Sequence, residues 1–191
     1  MLSAAKSQLA QRWPSALGIA GATGAIAVIA LLDREVEFFG PVVVMMAGIY
    51  LMAFALGRPR TAWLALAVLS VVVSVLQVLD GAGLLPIDPS VGMTIVVVAL
   101  WLWTVIRHRF AEGGTFIVQT AGLIGFGAVT LLCAVIAPRW ALALAGTAFL
   151  AHAAWDAYHF HTSKVVDRSY AEFCGVLDVF VGPALIIAAI V

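Results

Sequence analysis

Apolar residues run along this chain in blocks broken by short polar or Gly/Pro-containing links, and their order is the first thing the sequence offers. The blocks span residues 15–32, 41–56, 61–79, 91–106, 115–137, 140–160 and 170–191. A run of about 20 apolar residues crosses a bilayer as a helix, because only helices and closed barrels satisfy every backbone polar group there. The pattern predicts an all-α integral membrane protein, a bundle of seven transmembrane helices. The second and fourth runs are short, and six helices follow instead if one of them is re-entrant. The links carry turn chemistry: an acidic stretch at 33–40, Gly57 and Pro59 after the second run, and two Gly and two Pro within 80–90.

Lys and Arg test that alternation independently of hydropathy. Lys6, Arg12, Arg58, Arg60, Arg107, Arg109, Lys164 and Arg168 fall on the amino-terminal side of a seven-span chain, Arg34 and Arg139 on the other. Positive charge collects on the cytoplasmic side, so the amino terminus is expected inside and the carboxyl terminus outside, in a multi-pass protein of the cell membrane. A six-span model disturbs the alternation. Trp13, Trp63, Trp101, Trp103 and Trp155 are expected at the inner interface and Trp140 at the outer one, as belt residues.

Composition agrees: of 191 residues 64% are hydrophobic and 10% charged, with a mean hydropathy of +1.11, against about 25% charged in soluble domains. The formal net charge is zero, which points to no nucleic acid. The polar lead at 1–14 is followed by an apolar core longer than that of a signal peptide, so the first run is expected to be retained. Gly18, Gly21, Ala22, Gly24 and Ala25 within it allow close approach of a neighbouring helix. Cys133 and Cys174 fall near opposite membrane faces and are not expected to pair. One domain, residues 1–191, accounts for the whole chain, and nothing in it excludes an oligomer.

Chemistry concentrates between residues 152 and 178. His152, Asp156 and His159 are spaced four and three apart, which puts them on one helical face, with His161 nearly opposite. At 1.5 Å per residue from the inner surface, Asp156 comes to about 8 Å depth, His152 to about 14 Å and Asp178 of the last run to about 12 Å. Helices joined by a link of about nine residues are antiparallel neighbours, so Asp178 is expected to face Asp156 and His152. Ionisable groups at membrane depth are functional candidates by default.

Nitrogen and carboxylate ligands in this number suit zinc or iron, so His152, Asp156, His159 and Asp178 are the candidate metal ligands, with Asp156 and Asp178 also the candidate catalytic acids. Arg107, Arg109, Lys164 and Tyr170 are the candidate substrate contacts, the cations suiting a lipid head. Gln119 and Thr120 are placed to line the same cavity, and Ser169 to cap the last helix with Glu172 three residues on. The function this implies is a membrane-embedded, metal-dependent enzyme, most simply a hydrolase acting on a lipid or other amphiphilic substrate at the cytoplasmic side. The alternative is a non-enzymatic scaffold or small transporter whose His/Asp cluster is polar glue or a proton relay. Seven spans with an inward amino terminus and histidines near one membrane face resemble, in architecture, the adiponectin-receptor and alkaline-ceramidase groups of intramembrane zinc hydrolases. Those groups carry histidines four apart in the last span and a Ser/His/Asp set earlier. Here the last run has no histidine, so the resemblance assigns no residue roles.

Overall fold

A computed structural model describes residues 12–31 and 35–191, with side chains described from Phe38 onward in the second helix. Lys6, Asp33 and Arg34, and the side chains of Glu35 and Glu37, lie outside the described residues.

Seven α-helices and two short 3-10 turns make up the described chain, with no strand among the described residues: α1 (Trp13–Leu31), α2 (Glu35–Leu56), α3 (Ala62–Gly81), α4 (Pro89–Ile106), α5 (Gly114–Cys133), α6 (Pro138–Thr162) and α7 (Arg168–Ala188). Six are long and apolar enough to cross a membrane. The helix outside that set is α6, which has the length, 25 residues, but carries Arg139, Asp156 and three histidines. Its polar side chains must be hidden by neighbours, and three of them, His152, Asp156 and His159, are buried.

The two short runs are full helices. α4 has 18 residues, about 27 Å at 1.5 Å per residue, and Asp88 caps it by accepting from the Ser90 backbone N–H at 2.7 Å, with Pro89 in the first turn. α2 begins six residues before the apolar run, in what the sequence suggested was an acidic turn, and continues through Pro41. A proline removes one i→i−4 bond; here the helix carries on because α2 is enclosed by other helices.

That enclosure organises the bundle. α2 packs against α3, α4, α5 and α6. It is apolar all round, as a central helix must be, with Val43, Val44, Ile49, Tyr50, Leu51 and Phe54 essentially inaccessible. It ends at Gly57, whose φ of +68° suits glycine, and Arg109 lies against that glycine and over the Phe54 ring at 4.7 Å.

α6 and α7 form the most extensive helix pair, and α1 lies on the outer side of α7. Without a hydrophobic drive between helices in lipid, close backbone packing must hold such pairs, and glycines supply it. A Cβ at Gly146 would stand 2.6 Å from the Gly182 carbonyl oxygen, and one at Gly182 would stand 2.8 Å from that of Gly146. On α1, Gly18 meets the Phe173 carbonyl and Gly21 meets Leu177, whereas Gly24 faces open space. Gln77 ties α3 to α2 by donating to the Phe38 carbonyl at 2.8 Å.

Candidate functional site

Four helices, α2, α5, α6 and α7, bring one polar side chain or more each to a common layer inside the bundle. On α6 the i, i+4 spacing sets His152 above Asp156, with Nδ1 3.3 Å from Asp156 Oδ2. α7, held close by the Gly146–Gly182 contact, presents Asp178, whose Oδ2 lies 2.7 Å from the same nitrogen. The imidazole Nδ1–H therefore donates to Asp178, leaving Asp156 Oδ2 buried without a hydrogen bond. His152 Nε2 is also unpartnered and lies beside the Phe126 ring, 5.3 Å between centroids. Ligand atoms of His152, Asp156 and Asp178 all lie within 4.8 Å of one another, and all three residues are buried.

α2 contributes Tyr50, whose hydroxyl donates to Asp156 Oδ1. Sequence reading passed it over, yet a signal existed: Tyr50 carries the single hydroxyl in an otherwise apolar run, 41–56. Its ring meets His159 at 4.6 Å and His152 at 5.6 Å between centroids, making it the aromatic hub of the site.

His159, the fourth candidate ligand, stands outside the carboxylate group. Its Nδ1 lies 3.0 Å from the Trp155 carbonyl, which can only accept, so that nitrogen is the donor. Nε2 then accepts from the Gln119 amide of α5 at 3.0 Å. Both ring nitrogens are engaged, and the shared helical face placed His159 near the group without directing it there. Thr120 is elsewhere, accepting from Trp101 Nε1 at 3.0 Å. Trp155, read from sequence as a belt residue, turns inward against Gly122 and His159, because it shares the face of His152 and His159.

Of the candidate substrate contacts, Arg107, Arg109 and Lys164 do not line the groove beside Asp156. Arg107 and Lys164 are exposed, and Arg109 pairs with Glu112 at 2.8 Å while covering Phe54. Tyr170 is wholly buried, between Trp63 and Tyr50. What reaches Asp156 instead is a groove of about 430 Å³ between α6 and α7, walled by Ala157, Gly175, Val176, Val179 and Phe180 and bordered by His161 and Glu172. Glu172 does not form a capping box with Ser169. α7 starts earlier, at Arg168, with Asp167 as its N-cap, and Ser169 donates to Asp167 at 2.8 Å. Glu172 instead accepts from Ser15 of α1. Cys133 and Cys174 are free and buried.

In this arrangement two carboxylates face one imidazole, so with both ionised one negative charge is unmatched even with His152 protonated. A buried charge without a partner is expensive, so the group is suited to holding a proton or a cation. A metal on Nδ1 would displace the proton there and leave the other on Nε2, the nitrogen that has no partner. Ligands at about 2.0–2.2 Å from zinc stand roughly 3 to 3.5 Å apart, so the 2.7 Å contact between His152 and Asp178 has to open by a few tenths of an ångström.

No known protein family, curated protein or solved structure matches this chain.

Proposed function

We propose that this protein is a membrane-embedded, metal-dependent hydrolase acting on an amphiphile that reaches the site from the bilayer. The observation that carries this reading is the groove between α6 and α7, whose wall includes Asp156 of the His152, Asp156 and Asp178 group. Its exposed wall residues, Ala157, Val179 and Phe180, lie on the outer surface of the bundle, so in a bilayer the groove opens to lipid. An apolar chain has room to lie there with its polar end toward the carboxylates.

Zinc or iron held by His152, Asp156 and Asp178 would polarise a carbonyl and acidify a water. Asp156 Oδ2, free of other hydrogen bonds, is the oxygen open to such an ion, since Tyr50 occupies Oδ1. The hydrolysis this would serve adds water across an ester or amide bond, the hydroxyl going to the carbonyl carbon and the proton to the departing alcohol or amine. Tyr50 holds Asp156 in orientation through the other carboxylate oxygen, and in the metal-free site Asp178 holds the imidazole through its Nδ1–H.

A second reading is favoured by the same contacts: the His152–Asp178 hydrogen bond and the Tyr50–Asp156 bond join α2, α6 and α7 by themselves, as structural glue in a scaffold or as part of a proton relay. Elemental analysis of protein purified without chelator separates the two. The hydrolase reading expects about one zinc or iron per chain in wild type, lost from folded His152→Ala and Asp156→Ala. Clean, folded wild-type protein without metal leaves the glue reading.

Orientation follows from charge. Arg12, Arg58, Arg60, Arg107, Arg109, Lys164 and Arg168 lie at or beyond helix ends on one side of an up-and-down bundle, and Arg139 lies on the other. We place the first side, and with it the site, toward the cytoplasm of a cell membrane. A cysteine introduced at Leu85 should react with an impermeant maleimide from outside intact cells. Labelling from the cytoplasmic side alone would invert the topology.

A further inference from the structure

The groove between α6 and α7 is not neutral toward the head of an amphiphile. Among the residues that wall it, Asp156 and Glu172 are acids, His161 is the one histidine, and there is no Lys or Arg. Asp156 is 1% exposed, and its Oδ2, without a hydrogen bond, lies 3.8 Å from where a Cβ on the groove residue Gly175 would stand. A buried acceptor therefore borders the groove. Glu172 does have a cation nearby, Arg12 Nη1 at 3.9 Å, but the Arg12 side chain is 78% exposed, where water screens the pair. Arg168 does not line the groove, but it stacks on Phe160, which does, and it donates to Ser163 Oγ at 3.3 Å; it is exposed, where water screens its charge.

The sign of the charge does not depend on whether a metal is bound. With a divalent ion on Asp156 and Asp178, Glu172 is the remaining formal charge on the wall; without one, two carboxylates remain. In both states an anionic head meets at least one carboxylate of like charge on the wall, partly screened at Glu172, and a cationic head meets opposite charge. The wall away from the acids, at Val176, Val179 and Phe180, suits a hydrocarbon chain.

We infer that the groove binds a single-chain amphiphile with a cationic, amine-type head, the ammonium seated toward Glu172 and the chain along Val176, Val179 and Phe180. This names the ligand class of the proposed site and rests on the reading of that site as one that meets an amphiphile. It replaces the lipid head held by Arg107, Arg109 and Lys164 that the sequence suggested.

The test is native mass spectrometry of detergent-purified protein with dodecylamine and dodecyl phosphate at equal concentration, with metal content measured on the same samples. Dodecylamine should show about fivefold or higher occupancy over dodecyl phosphate, the size of one partly screened ion pair. Glu172→Gln should bring the two within about twofold of each other. Gly175→Leu should lose both ligands, since its Cβ meets nothing closer than the Asp156 Cβ at 3.4 Å and the rest of the side chain fills the groove. A thermal melt of each variant confirms folding, and Glu172→Gln carries the test alone if Gly175→Leu does not fold. Equal or stronger binding of the phosphate, no binding of either, a preference that survives Glu172→Gln, or binding unchanged in folded Gly175→Leu overturns the inference. Wild-type protein without metal that still prefers the amine sinks the hydrolase reading and leaves this one standing.

Discussion

Asp178→Ala is expected to lower the unfolding free energy by about 3 to 5 kcal/mol, the usual result of removing one partner from a buried ionic group. Asp178 is fully buried and its Oδ2 receives the His152 Nδ1–H at 2.7 Å. Removing it leaves the imidazole, whose Nε2 already has no partner, with Asp156 at 3.3 Å as its remaining carboxylate. Two companion variants locate the effect. Tyr50→Phe keeps the ring and removes only the donor to Asp156 Oδ1, so about 1 to 3 kcal/mol is expected. His152→Leu combined with Asp178→Leu replaces both partners by apolar groups and should be less harmful than Asp178→Ala alone. Reversible unfolding in mixed micelles measures all three. An Asp178→Ala variant within about 1 kcal/mol of wild type would show that the His152–Asp178 contact does not hold α6 to α7.

Gly146→Val should be nearly as damaging, for a steric reason. Even the first added carbon would stand 2.6 Å from the Gly182 carbonyl oxygen and 2.8 Å from Ile186 Cγ1. The closest atom is backbone, so no rotamer change relieves the clash and the helices must separate. A loss of about 3 kcal/mol is expected, at the upper end for overpacking. Gly182 lies one helical turn beyond Asp178 on the same face of α7, so the separation also draws Asp178 away from His152. Gly24→Ala is the control, because a Cβ there meets nothing within 4 Å and alanine is the better helix former. Its melting temperature should equal or exceed that of wild type. Equal melting temperatures for Gly146→Val and wild type would mean that α6 and α7 do not cross at these glycines.

The chain by itself determines whatever a local property decides. Seven helices follow from run lengths and from the need to satisfy the backbone in an apolar solvent, and those do not depend on which helix neighbours which. The small residues of α1 announced a close contact, although only the backbone shows that Gly18 and Gly21 meet α7 while Gly24 meets nothing. Local rules misled where packing overrides them: Pro41 reads as a helix boundary and lies inside α2, since four enclosing helices compensate for one lost hydrogen bond.

At the site the division is sharper. Helical periodicity put His152, Asp156 and His159 on one face and left His161 off it, because 100° per residue is a property of the chain alone. Periodicity could not tell which face-sharing residue would find a ligand group and which a glutamine: His152 meets Asp178, His159 meets Gln119, and helices distant in sequence supply both partners. Tyr50 lies 106 residues from Asp156 and carries no pairing signal of its own. The arginines looked like substrate contacts by charge, yet Arg109 is spent on Glu112 and Phe54, and the largely apolar groove beside Asp156 has Asp156 and Glu172 in its wall and no arginine. Turn angle and hydropathy belong to each segment and can be read along it. Which polar atoms end up adjacent is set by how the glycine contacts let α6, α7 and α1 approach, a geometry that exists only once the helices are assembled.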